Sequence, residues 1–158
     1  MLIERMHAAG DAAACAAIMA GSDPWRTLGR TFDDCLQMVA DQGKEVYLAR
    51  SDGQVAGFII VDMRGVLRGY IQIVAVHAEH RSEGVGRHLI SFAEERIHRE
   101  SPNVFLCVSS FNPGARRLYE RLGFLAVGEL TDFLVRGHSE ILMRKTRGPW
   151  AEFARVEE

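Results

Sequence analysis

Cysteine is scarce in this chain: three among 158 residues, Cys15, Cys35 and Cys107. The number is odd, the positions lie far apart and none forms a Cys-x-x-Cys pair, so neither a disulfide framework nor a zinc site is indicated. Small buried apolar side chains are expected there instead. The six histidines are scattered as well. His77 and His80 stand three apart, but no cysteine or His-Glu-x-x-His pattern joins them, and no metal is expected. No apolar run reaches the roughly 18 residues of a membrane span. The opening, Met1-Leu2-Ile3-Glu4-Arg5, lacks the basic-then-apolar order of a signal peptide. The expectation is a cytoplasmic protein with no membrane partner. An excess of one charge is missing too: the formal net charge is -2. That balance argues against a general nucleic-acid surface or a polybasic membrane face. There is no internal repeat and no low-complexity segment.

What remains is ordinary for a globular domain: 47% hydrophobic and 25% charged residues. The length suits one domain with a sizeable core, expected over residues 1–145 with a tail at 146–158. Residues 2–6 are a short strand candidate. The Ala-rich stretch 11–20 predicts a helix, closed by Gly21-Ser22-Asp23-Pro24. Phe32, Cys35, Leu36 and Val39 recur at three and four, predicting a helix over 31–42 with Thr31 as N-cap and Asp33 and Asp34 in its first turn. Strands follow at 45–50 and 55–63 as a hairpin about Ser51-Asp52-Gly53, then at 70–76. A helix is predicted over 84–98, a strand over 103–109, a helix over 113–122 closed by Gly123, and two strands at 124–131 and 138–145. The stretch 70–109 is a β-α-β crossover, hence a parallel pair with a right-handed connection. The rest is antiparallel, giving an α/β fold with a mixed, mostly antiparallel sheet and helices on both faces. In the tail, Trp150, Phe153 and Val156 at spacing three fit either a short helix docked on the body or on a second copy in a homodimer, or a frayed end.

The most informative stretch is His80-Arg81-Ser82-Glu83-Gly84-Val85-Gly86-Arg87, between the strand at 70–76 and the next helix. Glycines at 84 and 86 let the backbone turn sharply and approach a ligand. The first amides of a helix have no internal partners and sit at the positive end of its dipole, so a pyrophosphate fits there. Arg81 and Arg87 would add charge-assisted contacts. The Rossmann spacing would want glycine at 89, which is leucine, and no Gly-Lys-Ser/Thr follows, so dinucleotide and P-loop fingerprints fail. A plain strand-to-helix connection is the bland alternative.

A second stretch closes another strand-to-helix turn: Asn112, Ala115, Tyr119, Gly123 and Phe124, spaced as Asn-x-x-Ala-x-x-x-Tyr-x-x-x-Gly-Phe. The first reads Val-x-x-x-x-Arg-x-x-Gly-x-Gly, at Val76, Arg81, Gly84 and Gly86. In this order the pair resembles the two hallmark motifs of the GNAT superfamily of acyl-CoA-dependent N-acetyltransferases. The resemblance covers about residues 1–145, most specifically 70–125. It implies parallel strands, 70–76 and 103–109, that splay at their carboxyl ends to admit the pantetheine arm of acetyl-CoA or coenzyme A. Val74 and Val76 would offer backbone groups to that arm as an added strand would. The pyrophosphate would rest on the amides of Arg81, Ser82, Glu83, Gly84, Val85, Gly86 and Arg87. Asn112 would reach the arm as well as capping its helix, and Arg116 would meet the nucleotide phosphate or lie on a solvated face.

The resemblance also points to Tyr119 as the acid. It stands seven residues after Asn112, about two helical turns, so both can face one cleft. Attack of an amine on a thioester expels a thiolate, and a phenol at the sulfur can hydrogen-bond and protonate it. The alternative is a core tyrosine beside Leu118 and Leu122. The base is less legible. Many relatives carry a glutamate on the strand before the cradle, and 70–76 has none. Tyr70 holding a water, Glu79 beyond the strand, and a solvent route are the alternatives. For the amine acceptor, a small molecule or peptide, Asp23 would pair with a cation and Trp25 stack on it; the alternative is a helix-terminating turn at Pro24 with a buried Trp25. The late hairpin closes the same cleft in relatives, and here it offers Asp132, His138 and Glu140 without distinction among them. Two competing functions remain: an acyl-CoA-binding sensor without catalysis, and a nucleotide-binding protein unrelated to coenzyme A.

Overall fold

The computed structural model describes residues 1–155. Its elements run β1 (Leu2–Arg5), α1 (Ala9–Ala20), α2 (Phe32–Val39), β2 (Glu45–Ser51), β3 (Gln54–Asp62), β4 (Tyr70–Val76), α3 (Val85–Ile97), β5 (Asn103–Ser109), α4 (Pro113–Arg121), β6 (Leu125–Leu130) and β7 (Glu140–Thr146), with 3-10 turns at Ala78–His80 and Trp150–Glu152. The seven strands form one sheet in the order β1-β2-β3-β4-β5-β7-β6. Among the described residues only β4 and β5 are parallel; the other neighbours are antiparallel. The order of elements and the mixed sheet are those expected from the sequence, and most helix ends agree within two residues. The exception is α2, which stops at Val39, three residues short of the predicted end. Its start is fixed by a capping box: Asp34 N donates to Thr31 Oγ1 at 3.2 Å and Thr31 N to Asp34 Oδ2 at 2.8 Å.

The sheet has two dry faces. One packs Ile59, Val61, Ile71 and Val104 against Val85, Leu89, Ala93 and Ile97 of α3, with Leu118 and Tyr119 of α4 at its margin. The other packs Val46, Leu48, Phe58, Ile60, Ile73 and Ala75 against α1 and α2. Because helices cover both faces, β2 and β3 are buried on both, and β2 is a continuous buried run from Val46 to Ala49 rather than an alternating strand. Burying one such leucine or phenylalanine contributes roughly 1.5–3 kcal/mol.

One feature of β4 positions the site. Ile60 of β3 faces Ile73, but the next residue, Val61, faces Ile71. Gln72 is therefore an extra residue, a β-bulge, and the strand changes parity there. Ile71 packs on the α3 face whereas Ile73 and Ala75 pack on the α1–α2 face. The Gln72 side chain is held by Lys44, whose Nζ donates to Gln72 Oε1 at 2.7 Å. Register with β5 ends at the same place: the parallel pair is Tyr70 with Phe105 and Ile71 with Leu106, and no further.

In the tail, the Trp150 and Phe153 rings meet edge to face at 5.6 Å, and the Arg68 guanidinium stands 6.0 Å from the Trp150 ring. Val156, the third residue of the expected stripe, lies outside the described residues. Among the described residues no helix is long and apolar enough to cross a membrane.

Candidate active site

Where β4 and β5 part, a cleft of about 850 Å³ opens. Gln72 to Val76 form one wall, and Leu106 to Ser109 with Asn112, Ala115 and Tyr119 form the other. The α1–α2 segment, including Asp23, Trp25 and Arg30, closes one side; Phe133, Leu134 and Glu140 of the β6–β7 hairpin close another. The wall along β4 is chemically unspent. His77 N donates back to Ala56 O of β3 at 2.8 Å. Backbone groups alternate in direction along a strand, so those of Val74 and Val76 point away from β3, into the gap. Before the bulge the parity is opposite: Gly69 O accepts from Phe105 N of β5 at 2.9 Å. The bulge thus turns the backbone of Val74 and Val76 toward the opening that the lost pairing creates.

Beyond β4 the chain makes the 3-10 turn and enters α3 through two left-handed residues, Ser82 at φ 67° and Gly84 at φ 80°. Gly84 is the N-cap, without side-chain capping, and no acidic residue occupies the first turn of α3. Those amides and the dipole are accordingly not neutralised by the helix's own side chains. Val85 is buried and anchors the turn, whereas Arg81, Ser82, Glu83, Gly84 and Arg87 are exposed. Arg81 Nη2 donates to Ser22 Oγ at 3.0 Å, and Ser22 Oγ donates to Ile18 O at 2.7 Å. The cradle is thereby tied to the end of α1. Glu83 pairs with His80, Oε2 to Nδ1, at 3.0 Å.

The expected site residues divide into two groups. Tyr70, Val74, Val76, Arg81, Asn112, Tyr119, Asp23 and Trp25 all line the cleft. Glu79, Arg116 and the cradle residues Ser82 to Arg87 do not: the cradle lies beyond the lining, and Glu79 stands exposed on the turn Ala78–His80. Arg116 pairs with Glu120 on its own helix, Nε to Oε1 at 3.1 Å. Asn112 caps α4, accepting from Ala115 N at 3.2 Å. Asp23 is an exposed turn carboxylate whose pKa is held low by hydrogen bonds from Thr27, Oγ1 at 2.7 Å and N at 3.1 Å. Trp25 is buried among the α1 side chains as well as bordering the cleft.

Tyr119 stands half-buried, its ring 6.1 Å from that of Phe124. Desolvation pushes its phenol up to about 12, so it keeps its proton throughout the neutral range. Tyr70 is pushed well above its ordinary value by burial, with Cys107 and Glu140 acting in the same sense. It keeps its proton and is no base near neutral pH.

Sequence reasoning passed over two groups here, Cys107 and Ser109, and left Glu140 as one of three polar residues of the late hairpin. Cys107, expected to be a small core residue, is half-buried and lines the cleft, unlike the buried Cys15 and Cys35. Ser109 and Glu140 face each other in register across β5 and β7. Glu140 is only 5% exposed, and burial raises its carboxyl while the Ser109 hydroxyl and the His138 ring act the other way. A signal was present: Ile141 and Met143 pack on the α3 face, which puts Glu140 on the same side as Leu142, a carboxylate where an apolar residue would serve packing. Among the described residues no group of three or more His, Cys, Asp or Glu is arranged to hold a metal ion.

Comparison with known proteins follows the same lines. N-alpha-acetyltransferase 30 of Xenopus laevis is 31% identical over 96 residues, 58% of this chain and 35% of that protein. The chain spans about a third or less of the length of the curated relatives it matches. Among solved structures, an aminoglycoside 6'-N-acetyltransferase complexed with coenzyme A superposes with a TM-score of 0.74 at 16% identity, covering 94% of this chain and 98% of that one. A ribosomal-protein-alanine N-acetyltransferase from Brucella melitensis does so with a TM-score of 0.74 at 21% identity, covering 92% and 99%. These two show a shared fold. The family model described as "Acetyltransferase (GNAT) family" matches residues 13–124, and with the split β4–β5 pair and the glycine cradle at its end, the chain belongs to that family.

Proposed function

We propose that the protein is an N-acetyltransferase that moves an acetyl group from acetyl-CoA to a primary amine by direct attack, through a tetrahedral intermediate. The observation that carries this is the split pair: two register positions between β4 and β5, then a cleft with unpaired backbone on one wall and a protonated tyrosine on the other. The residues fit an acyl-CoA donor. Val74 and Val76 would hydrogen-bond the amides of an extended arm as a neighbouring strand would. The amides from Arg81 to Arg87 would hold the pyrophosphate, with Ser82 and Gly84 bending the chain to present them.

Tyr119 acts on the leaving group. A phenol at about 12 facing a thiolate of reference pKa about 8.5 gives up its proton uphill by roughly 5 kcal/mol. Its contribution is therefore a hydrogen bond to the developing thiolate, with full transfer coupled to arrival of a second proton from the acylated nitrogen. Asp23 at the mouth would draw a cationic acceptor, and Trp25 would line its path. The relatives' names span protein and small-molecule amines, so the acceptor is stated as a primary amine, peptide or small molecule.

The test is a thermal shift followed by turnover. Coenzyme A at 100 times its Kd raises stability by about 2.7 kcal/mol, with ATP and NAD as controls that leave the melting temperature unchanged. Thiol release across a panel of tetrapeptides, polyamines and an aminoglycoside then reads turnover. Stabilisation by ATP or NAD rather than coenzyme A would refute the assignment, and tight coenzyme binding without thiol release from any amine would instead indicate a sensor.

A further inference from the structure

The acetyl-transfer reading needs a group that removes a proton from the amine, and β4, from Tyr70 to Val76, carries no carboxylate. We propose that Glu140, at the start of β7, is the catalytic base that accepts the attacking amine's proton; this rests on that reading. Glu140 lines the cleft and is 5% exposed, and neither its Oε2 nor the Ser109 Oγ opposite makes a hydrogen bond of ordinary geometry among the described residues, although the hydroxyl is near enough to favour the charged carboxylate. A buried, unpartnered carboxylate oxygen is costly to keep, and this one stands beside the opening rather than inside either apolar face. It shares the floor with Tyr70 from β4 and Cys107 from β5, both close enough to feel its charge. His138, whose ring meets Phe111 edge to face at 4.9 Å, is the cationic candidate that acts on it. Across the cleft stand Asp23, Arg26 and Arg30 of the α1–α2 segment. Tyr70 and Tyr119 both keep their protons at neutral pH, and the cleft's other carboxylates, Asp23 and Asp62, are engaged by Thr27 and Arg64 respectively, so Glu140 is the lining carboxylate with an oxygen left to accept a proton. Burial raises its carboxyl, which makes it a stronger base than an exposed glutamate.

The step balances. An N–H bond of the substrate ammonium breaks, its proton passes to the Glu140 carboxylate, and the nitrogen lone pair is freed. The C–N bond forms at the thioester carbonyl and the C–S bond breaks, with sulfur taking the electron pair. Tyr119 gives its proton to sulfur and recovers one from the nitrogen. Glu140 then returns its proton to water.

Glu140→Gln keeps shape and removes basicity. The expected result is a fall in kcat at pH 7 of about a hundredfold or more, unchanged coenzyme A affinity by calorimetry, and loss of the acidic limb of the kcat–pH profile. The fold control has a defined sign. A carboxyl raised by folding disfavours its charged form, a cost absent below its unfolded pKa and complete above its folded one. At pH 7–8 the Gln variant should therefore melt no lower than the parent. A carboxyl-carbon NMR titration of the coenzyme-free protein should place Glu140 above the exposed glutamates. Turnover within threefold of the parent, with the same pH profile, overturns the proposal. A raised amine KM at unchanged kcat overturns it too, making Glu140 an anchor for the ammonium. Titration of Glu140 together with the exposed glutamates removes its premise. Absence of thiol release from the unaltered protein with every amine of the panel counts against acetyl transfer itself, a result distinct from all of these.

Discussion

At Tyr70 and Ile71, β4 lies hydrogen-bonded between β3 and β5; beyond the bulged Gln72, from Ile73 to Val76, it keeps β3 alone. The two ends share one strand and one apolar composition, yet they carry different work. The paired end closes the sheet against α3 and the carboxyl end of the helix crossover. The unpaired end has exchanged sheet hydrogen bonds for a cleft, and its free backbone donors and acceptors face that cleft. A segment can thus serve as core on one side of a single bulged residue and as the wall of a cleft on the other. Substitutions at the paired end should act on stability, and substitutions around the open end on binding and turnover with little loss of stability.

The largest effect is expected where the chain turns into the paired end. Gly69 has φ 91°, and a methyl there would come within 2.5 Å of both Asn103 O and Ile97 Cγ2. Gly69→Ala combines left-handed strain with a clash against backbone, for an expected loss of about 3 kcal/mol or more, read by urea denaturation. A loss under 1 kcal/mol would mean that β4 and β5 separate at little cost, and the contrast between the two ends would fail. Next comes Tyr119→Phe, which removes one hydroxyl facing the open end. Turnover should fall tenfold or more, about 1.4 kcal/mol in the barrier, while coenzyme A affinity and melting temperature stay near the parent's. Unchanged turnover would return Tyr119 to a packing role beside Phe124.

This asymmetry bears on what could be read from the residues alone. The strand at 70–76 and the helix after it were legible because local composition decides both. The cradle was legible because glycine at a strand-to-helix turn has a local reason. Gln72 was not legible as a bulge. Tyr-Ile-Gln-Ile-Val-Ala-Val alternates cleanly, and a period-two reading keeps Ile71, Ile73 and Ala75 on one face. The structure separates Ile71 from the other two because the register of β3 against β4, a tertiary property, shifts between Ile60 and Val61. Glu140 escaped for the same kind of reason: it could be named as one of three polar residues in the late hairpin, but its burial depends on β7 inserting between β5 and β6. Cys107 was read as core because nothing local distinguishes a strand residue facing a packed helix from one facing a gap.

The two cradle glycines sharpen the comparison because they differ, and Gly86 carries the smallest energetic effect. Gly84 occupies a left-handed conformation, φ 80°. Gly84→Ala should cost about 1–2 kcal/mol of stability through strain alone, and the distorted turn should weaken coenzyme A as a secondary result. Gly86 needs no such conformation, since it lies in the first turn of α3 and a methyl added there meets only Val76 Cγ2, at an ordinary 3.6 Å. Alanine is the better helix former by roughly 0.5–1 kcal/mol, so Gly86→Ala should leave the melting temperature unchanged or slightly raised. The same methyl would stand beside the open end of β4 at the amides offered to a pyrophosphate, and the Kd for coenzyme A should rise several-fold. Stability and affinity then move in opposite directions, which no general loosening of the fold would produce. If Gly86→Ala binds coenzyme A as the parent does, the pyrophosphate does not rest against the Gly86 amide, and the bare backbone at that position is explained by neither fold nor ligand.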